Sequence, residues 1–183
     1  MTTLIITGTP GTGKTSVSRI LAKKLSYDLV AVNDLVEQKH IYTGYNKERG
    51  YKEVDLDGLS KELMQVVQES EDNGLIIEGH LAHHFENEEM IDNVVILRAR
   101  PDVLTKRLET RDWSDSKIRE NVEAEALDIC TFEAVENFDK KVDELDTSDL
   151  TMEEVADQII EILNGEKGFP PGKMNFLEYL HKV

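Results

Sequence analysis

Apolar residues along the chain fall into short blocks, separated by longer stretches in which they recur every three or four positions. Leu4-Ile5-Ile6 is a β-branched run that ends at a glycine-rich stretch, and it reads as a strand buried on both faces of a parallel sheet. From Lys14 onward, Val17, Ile20, Leu21 and Leu25 keep helical spacing to about Leu25. Asp28 to Val32 reads as a second strand, after which Asn33 or Asp34 caps a short helix through Gln38. Residues 41–55, IYTGYNKERGYKEVD, are polar, carry three tyrosines and two glycines and lack a clean period, so they read as a mobile segment. Helical spacing returns from Asp57 to Asp72 through Leu59, Leu63, Val66 and Val67. Leu75-Ile76-Ile77 and Val94-Val95-Ile96-Leu97 are two more buried-strand runs. Pro101 suits the first turn of a helix that carries Val103, Leu104 and Leu108.

A long charged helix is expected from Asp115 to about Asp139, with Ile118, Val122, Ala126, Ile129 and Phe132 as its apolar stripe. Lys141 to Leu145 is a weaker candidate for a fifth strand. Thr151 followed by Glu154 forms a capping-box pattern ahead of a helix to Leu163, and three glycines and two prolines between Gly165 and Gly172 end it. The last eleven residues either dock as a short helix through Phe176, Leu177 and Leu180 or form a tail. Strands thus alternate with helices, which predicts one α/β domain with a parallel sheet covered on both faces. No internal repeat or domain boundary interrupts it.

Composition narrows the chemistry. The 183 residues contain 37 Asp plus Glu against 21 Lys plus Arg, a formal net charge of −16. Such a surface repels phosphate backbones, so direct nucleic-acid binding is not expected, nor is binding to an anionic membrane. It favours basic partners, and a salt-rich cytoplasm selects the same composition. Cys130 is the sole cysteine, which excludes an intramolecular disulfide and a cysteine-based zinc site. The N-terminal sequence lacks the pattern of a secretory signal and no apolar run approaches membrane-spanning length, so a cytoplasmic location is expected.

One motif localises an exception to the acidity. Gly8-Thr9-Pro10-Gly11-Thr12-Gly13-Lys14-Thr15 matches G-x-x-x-x-G-K-S/T and lies between a predicted strand and a predicted helix, the context that motif requires. Its glycines let backbone N–H groups point inward at phosphate oxygens, and the helix that follows adds its positive end. Lys14 can reach the β and γ phosphates, the Thr15 hydroxyl can ligate Mg²⁺, and Ser16 can donate toward the α phosphate. A nucleoside triphosphate, with Mg²⁺, is the expected ligand. A guanine-reading N-K-x-D element is absent, since Asn46-Lys47 is followed by Glu48-Arg49. Arg107 and Arg111, four apart on one predicted helix face, are candidates to neutralise a transferring phosphoryl group. Arg98, Arg100 and Arg119 are equally well read as partners of neighbouring acids.

Together with GTPGTGKT, the stretches IIEGH at 76–80, TGY at 43–45 and RLETRDWSDSKIREN from Arg107 resemble the adenylate kinase isoenzyme 6 family, whose eukaryotic members are also described as coilin-interacting nuclear ATPases. The likeness runs from about Leu4 to Leu163 and looks more like an archaeal member. It implies a P-loop nucleoside monophosphate kinase fold over residues 1–164 with a five-stranded parallel sheet, a monophosphate-binding segment at about 31–54 and a lid at about 110–120, and then a C-terminal tail at 165–183. It also implies a broad-specificity adenylate kinase, forming two ADP from ATP and AMP, that hydrolyses ATP. A further implication is a role in late maturation of the small ribosomal subunit and rRNA processing, through a basic platform ribosomal protein.

By the same resemblance Gly11, Gly13, Lys14, Thr15 and Ser16 hold the triphosphate, and Arg111 is the lid arginine that contacts ATP, with Arg107 a turn earlier. His80 matches a histidine in an Asp-x-His pattern, here with Glu78 as the acid. Glu78 is then a candidate for holding a Mg²⁺-bound water, and His80 for orienting an attacking water or the acceptor phosphate. Two departures stand out: the family pattern has arginines where this chain has Glu37 and Gly58. Lys39, Lys47, Arg49 and Lys52 are the candidate substitutes for holding the acceptor, and Asp34 matches a family acid or is simply a helix cap.

The residues leave some alternatives open. His80, His83 and His84 have the i, i+3, i+4 spacing of a zinc face on a helix, although no fourth ligand aligns with them. Trp113 and the tyrosines either stack on adenine or pack. An assembly ATPase with incidental kinase activity, and a kinase acting on another small-molecule acceptor, are the rival functions.

Overall fold

Five parallel strands organise the molecule: β1 (Thr3–Thr7), β2 (Asp28–Ala31), β5 (Leu75–Glu78), β6 (Asn93–Arg98) and β7 (Val142–Asp146), in the spatial order β2-β5-β1-β6-β7. The computed structural model describes all residues except 47–50, 71, 72, 182 and 183, together with the side chains of residues 51 and 181. The blocks read as buried strands are those: every residue of Thr3–Thr7 and of Leu75–Glu78 is buried. Strand alternation sends their side chains to two cores. Ile5, Ile77, Val94 and Ile96 face a cluster with Leu59, Leu63, Phe85 and Phe138. Leu4, Ile6, Ile76, Val95 and Leu97 face a second cluster with Val17, Leu21, Val155 and Ile159.

The helices that cover the sheet are α1 (Lys14–Leu25), α2 (Val32–Lys39), α3 (Leu56–Glu69), α4 (Pro101–Glu109), α5 (Asp115–Ala126), α6 (Ile129–Phe138) and α7 (Met152–Leu163). The capping box predicted at Thr151 is formed: Thr151 Oγ1 accepts from Glu154 N at 3.2 Å and Glu154 Oε2 accepts from Thr151 N at 2.8 Å. A third, smaller cluster, Leu104, Leu108, Ile118 and Val122 with Trp113 against it, joins α4 to α5. No helix among the described residues is long and apolar enough to cross a membrane.

Two expectations need correction. The segment read as mobile contains an antiparallel hairpin, β3 (Tyr42–Asn46) and β4 (Tyr51–Val54), with an irregular register between Tyr42 and Gly44. Its strands expose one face and half-bury the other (Thr43 and Tyr45 outward), so no apolar alternation announced it in the sequence. The long helix predicted over 115–139 is two helices. The chain breaks at Leu127-Asp128, where Asp128 takes the left-handed conformation, φ 56°. Arg98 holds the break: its Nη2 donates to the Glu125 carbonyl at 3.0 Å and contacts the Asp128 carboxylate. The break resets the helical phase. Ile129 and Phe132 of the predicted stripe are exposed, 41% and 63%, and Thr131, Ala134 and Phe138 are buried instead.

The C-terminal segment docks on the edge strand. Glu144 N donates to the Phe169 carbonyl at 2.8 Å, Gly172 N donates to Glu144 Oε2 at 3.1 Å, and buried Phe176 lies 5.2 Å from the Arg98 guanidinium. The predicted fifth strand is therefore present and covered, which protects an otherwise open sheet edge.

Candidate active site

The loop between β1 and α1 follows the central strand, whose flanking connections leave in opposite directions, and parallel sheets place ligands at that edge. Two of its glycines are required by geometry. Gly8, at φ 131°, leaves 2.3 Å between a would-be Cβ and the Leu97 carbonyl oxygen. Gly13 caps α1 at φ 102°, a conformation that side-chain-bearing residues rarely adopt. Side chains beneath fix the loop. Thr12 Oγ1 donates to the Thr9 carbonyl at 2.9 Å, and Thr9 Oγ1 donates to Glu125 Oε2 at 2.5 Å. Glu125 is itself held by Arg98 Nε at 2.7 Å.

Lys14 is buried, and its ammonium donates to the carbonyls of Gly8 at 2.8 Å and Thr9 at 3.0 Å. Burial lowers its pKa to about 8, which Cys130, Glu78 and Glu125 partly offset. It remains mostly charged at neutral pH, and an arriving polyanion reinforces that charge. Thr15 Oγ1 donates to Glu78 Oε1 at 3.2 Å, so the first turn of α1 and the C-terminal end of β5 present one hydroxyl and one carboxylate side by side. These hard oxygen donors at the mouth of a phosphate-binding loop fit Mg²⁺, which prefers oxygen ligands shared with phosphate. His80 lies two residues beyond Glu78, where burial and the Lys14 charge push its pKa down to about 4; its imidazole is neutral at physiological pH.

A single cleft of about 1680 Å³ connects these groups. Gly11, Gly13, Lys14, Thr15, Ser16, Glu78 and His80 line its floor, and Arg107, Arg111, Trp113 and Lys117 line the wall formed by the end of α4 and the start of α5. The two arginines differ. Arg107 is tied down, with Nη1 donating to Thr147 Oγ1 at 2.9 Å and Nη2 to the Thr147 carbonyl at 2.7 Å. Arg111 is exposed, with its guanidinium 5.0 Å from the Trp113 ring. Lys117 stands 3.8 Å from the same ring, so Trp113 sets two cations on this wall. Arg98 and Arg100, by contrast, pair with acids: Glu125, Asp128 and Glu144 for the first, Asp149 and Asp102 for the second. Arg119 faces the cleft.

The opposite wall comes from α2 and the hairpin, including Asn33, Glu37, Tyr45 and Lys52. Lys52 Nζ contacts the Glu37 carboxylate and lies 4.4 Å from the Tyr42 ring centroid. Lys39 pairs with Glu62 at 2.9 Å, outside this cleft, while Lys47 and Arg49 lie outside the described residues. The predicted histidine face does not form as drawn. Residues 82–84 make a single 3₁₀ turn, which leaves His80 in the cleft and turns His83 inward to Thr7 and Glu133. Lys117, Thr147 and Glu125 were not anticipated. Thr147 follows the fifth strand at the sheet edge where ligands gather, and that position was its only signal in the sequence.

Comparison with known proteins agrees with this arrangement. Residues 4–128 match the AAA domain family AAA_18. A protein of Methanothermobacter thermautotrophicus named "Putative adenylate kinase" is 40% identical over 97% of this chain and 98% of its own length. One of the same name from Methanosarcina barkeri is 36% identical over 97% of each chain. Among solved structures, shikimate kinase from Bacteroides thetaiotaomicron superimposes with a TM-score of 0.62 at 21% identity, over 89% of this chain and 98% of that one. At that identity the likeness shows the fold alone, the P-loop kinase architecture with the five-stranded parallel sheet of nucleoside monophosphate kinases. The phosphate loop, the strand order and near-full-length archaeal relatives converge, and this chain belongs to the AAA_18 family of AAA-domain proteins.

Proposed function

We propose that the chain transfers the terminal phosphoryl group of ATP to AMP or a related nucleoside monophosphate, with ATP hydrolysis as a second outcome at the same site. One observation carries the reading: the phosphate loop and the α2–hairpin wall face each other across one continuous cleft of about 1680 Å³. Single-ligand sites usually enclose roughly 300–1,000 Å³, so this space suits a donor and an acceptor end to end. The names of the archaeal relatives support an adenylate kinase over a kinase for another acceptor.

The residues divide the work. Loop amides from Gly11 to Ser16 and the Lys14 ammonium hold the donor phosphates. Thr15 and Glu78 would hold Mg²⁺, which would supply neutralisation of phosphate charge. Arg111 and Lys117 reach over the transferring group from the wall formed by the end of α4 and the start of α5, and Arg107 positions that wall against Thr147. Lys52 is the described cation best placed for the acceptor phosphate, and an acceptor must draw it away from Glu37. The neutral His80 imidazole orients the acceptor phosphate or, with no acceptor bound, a water. Closure of residues 110–120 over the cleft excludes that water during transfer.

ADP formation from ATP, measured with and without AMP, tests the proposal. The expected result is a large AMP-dependent rate, and a rate unchanged by AMP overturns the kinase reading. A panel of monophosphates then defines the acceptor. The companion role in small-subunit maturation draws its support from the net charge of −16, which suits a basic ribosomal protein. Retention of such a platform protein by this chain at low salt, and its release by ATP, is the expected outcome; no retention at low salt counts against it.

A further inference from the structure

Behind the phosphate loop, outside the nucleotide cleft, three side chains that ordinarily bind transition metals converge. His83 and His84 sit on the 3₁₀ turn Ala82–His84, and Glu133 on α6. One ligand atom from each lies within 4.8 Å of the other two. His83 Nε2 is 2.9 Å from Glu133 Oε2, and the two imidazole rings are tilted side by side with centroids 4.5 Å apart. None of the three lines the cleft that holds Lys14, Thr15 and Glu78. We infer that His83, His84 and Glu133 form a second metal site, selective for a zinc-class transition-metal dication and completed by solvent.

The donor set chooses the class of ion. Two imidazole nitrogens and one carboxylate oxygen suit Zn²⁺, Co²⁺ or Ni²⁺, whereas Mg²⁺ seeks oxygen alone. Tetrahedral zinc with bonds of about 2.0–2.1 Å places its donors roughly 3.3 Å apart. The His83–Glu133 pair is already within a few tenths of that spacing, and the His84 nitrogen lies within 4.8 Å of both. The surroundings provide what a ligating histidine needs. Its second ring nitrogen, Nδ1, lies 2.7 Å from Thr7 Oγ1, and Asn137 Nδ2 donates to the His83 carbonyl at 2.8 Å. Such outer contacts fix the ring and its tautomer so that Nε2 can present its lone pair. His83 is 1% exposed, but the Glu133 side chain is 39% exposed, so ions can enter from the solvent side, where a water fills the fourth position. Bound there, the metal ties the end of β1 to α6. It braces the base of the phosphate loop without touching nucleotide.

Isothermal titration of the full chain with ZnCl₂ tests the site, with Mg²⁺ in large excess to occupy the Thr15–Glu78 oxygens. One equivalent is expected, with a thermal midpoint raised by roughly 5 °C or more once free Zn²⁺ exceeds Kd a hundredfold. H84A and E133Q alter partly exposed side chains. E133Q also preserves a hydrogen-bond partner for His83, so it separates metal ligation from the ordinary His–Glu contact. Each variant is expected to weaken binding at least tenfold and the double variant to abolish it. In a second measurement, Co²⁺ is expected to give the intense visible bands of a four-coordinate site in the wild-type protein and not in the double variant. Wild-type protein that takes up no stoichiometric Zn²⁺, or a double variant that binds it as tightly, overturns the inference.

Discussion

Lys14 shows how burial and chemistry share one residue. Folding removes its ammonium from water, and the carbonyls of Gly8 and Thr9 hold it in place before any phosphate arrives. Lys14→Met keeps the stem and removes the charge, so the fold is expected to survive while AMP-dependent ADP formation falls about 10²–10³-fold in kcat. Steady-state kinetics beside a circular dichroism spectrum checks both halves. His80 makes a different demand. Its pKa in the folded state is about 4 against an ordinary 6.5, so between those values the unfolded chain takes up a proton that the folded chain refuses. The His80 contribution is therefore intact above pH 6.5, declines as pH falls toward 4, and is flat below that. Thermal midpoints measured from pH 7.5 to 4 are expected to fall through that window, and His80→Gln is expected to shallow the slope; an unchanged slope would remove His80 as the cause.

At the scale of elements, the junction of α5 and α6 matters most. Arg98 leaves the end of β6, is 1% exposed, and meets Glu125, Asp128, Glu144 and Thr131. Glu125 then holds Thr9, and Glu144 holds Gly172, so a single guanidinium links the phosphate loop, the helix break and the C-terminal segment. Arg98→Met leaves two buried carboxylates without their cation, a loss expected to cost about 3–5 kcal/mol and to lower the thermal midpoint by roughly 10 °C. Differential scanning calorimetry measures it, and a change under 2 °C would show that the acids find other partners. In the sequence this arginine was indistinguishable from a surface residue paired with acids. The helical spacing of Ile118 to Phe132 likewise continued past a break that long-range contacts impose. The hairpin was hidden for a related reason, because it packs as a cleft wall and carries no apolar face of its own.

For the molecule as a whole, charge is the dominant quantity. With 37 acids against 21 bases, much of the surface repels itself, and the cations that face the cleft gather on Lys14, Lys52, Arg107, Arg111, Lys117 and Arg119. Salt screens repulsion over about 10 Å at 0.1 M and about 3 Å at 1 M. Raising NaCl from 0.05 to 1 M is therefore expected to raise the thermal midpoint by several degrees while weakening nucleotide binding at the cleft. Scans and fluorescence titrations across that range read the two effects separately, and a midpoint that falls with salt would mean that attractive pairs such as Arg100–Asp149 outweigh the net charge.

The sequence by itself determined the sheet, the phosphate loop and most helices, because those rest on local patterns: unbroken apolar runs, helical spacing, a capping box and glycines at fixed intervals. The motif offered Thr15 as a Mg²⁺ ligand and the family resemblance offered Glu78 for a Mg²⁺-bound water, and the fold places the two 3.2 Å apart. Tertiary structure alone decided what depends on residues far apart in the chain. The separation of 63 positions from Thr15 to Glu78 closes only when β1 and β5 pair, Arg98 meets a helix break 30 residues away, and His83 and Glu133 meet across 50 residues. Periodicity records which face of an element is buried. It does not record what that face is buried against, and in this protein the chemistry lies in those contacts.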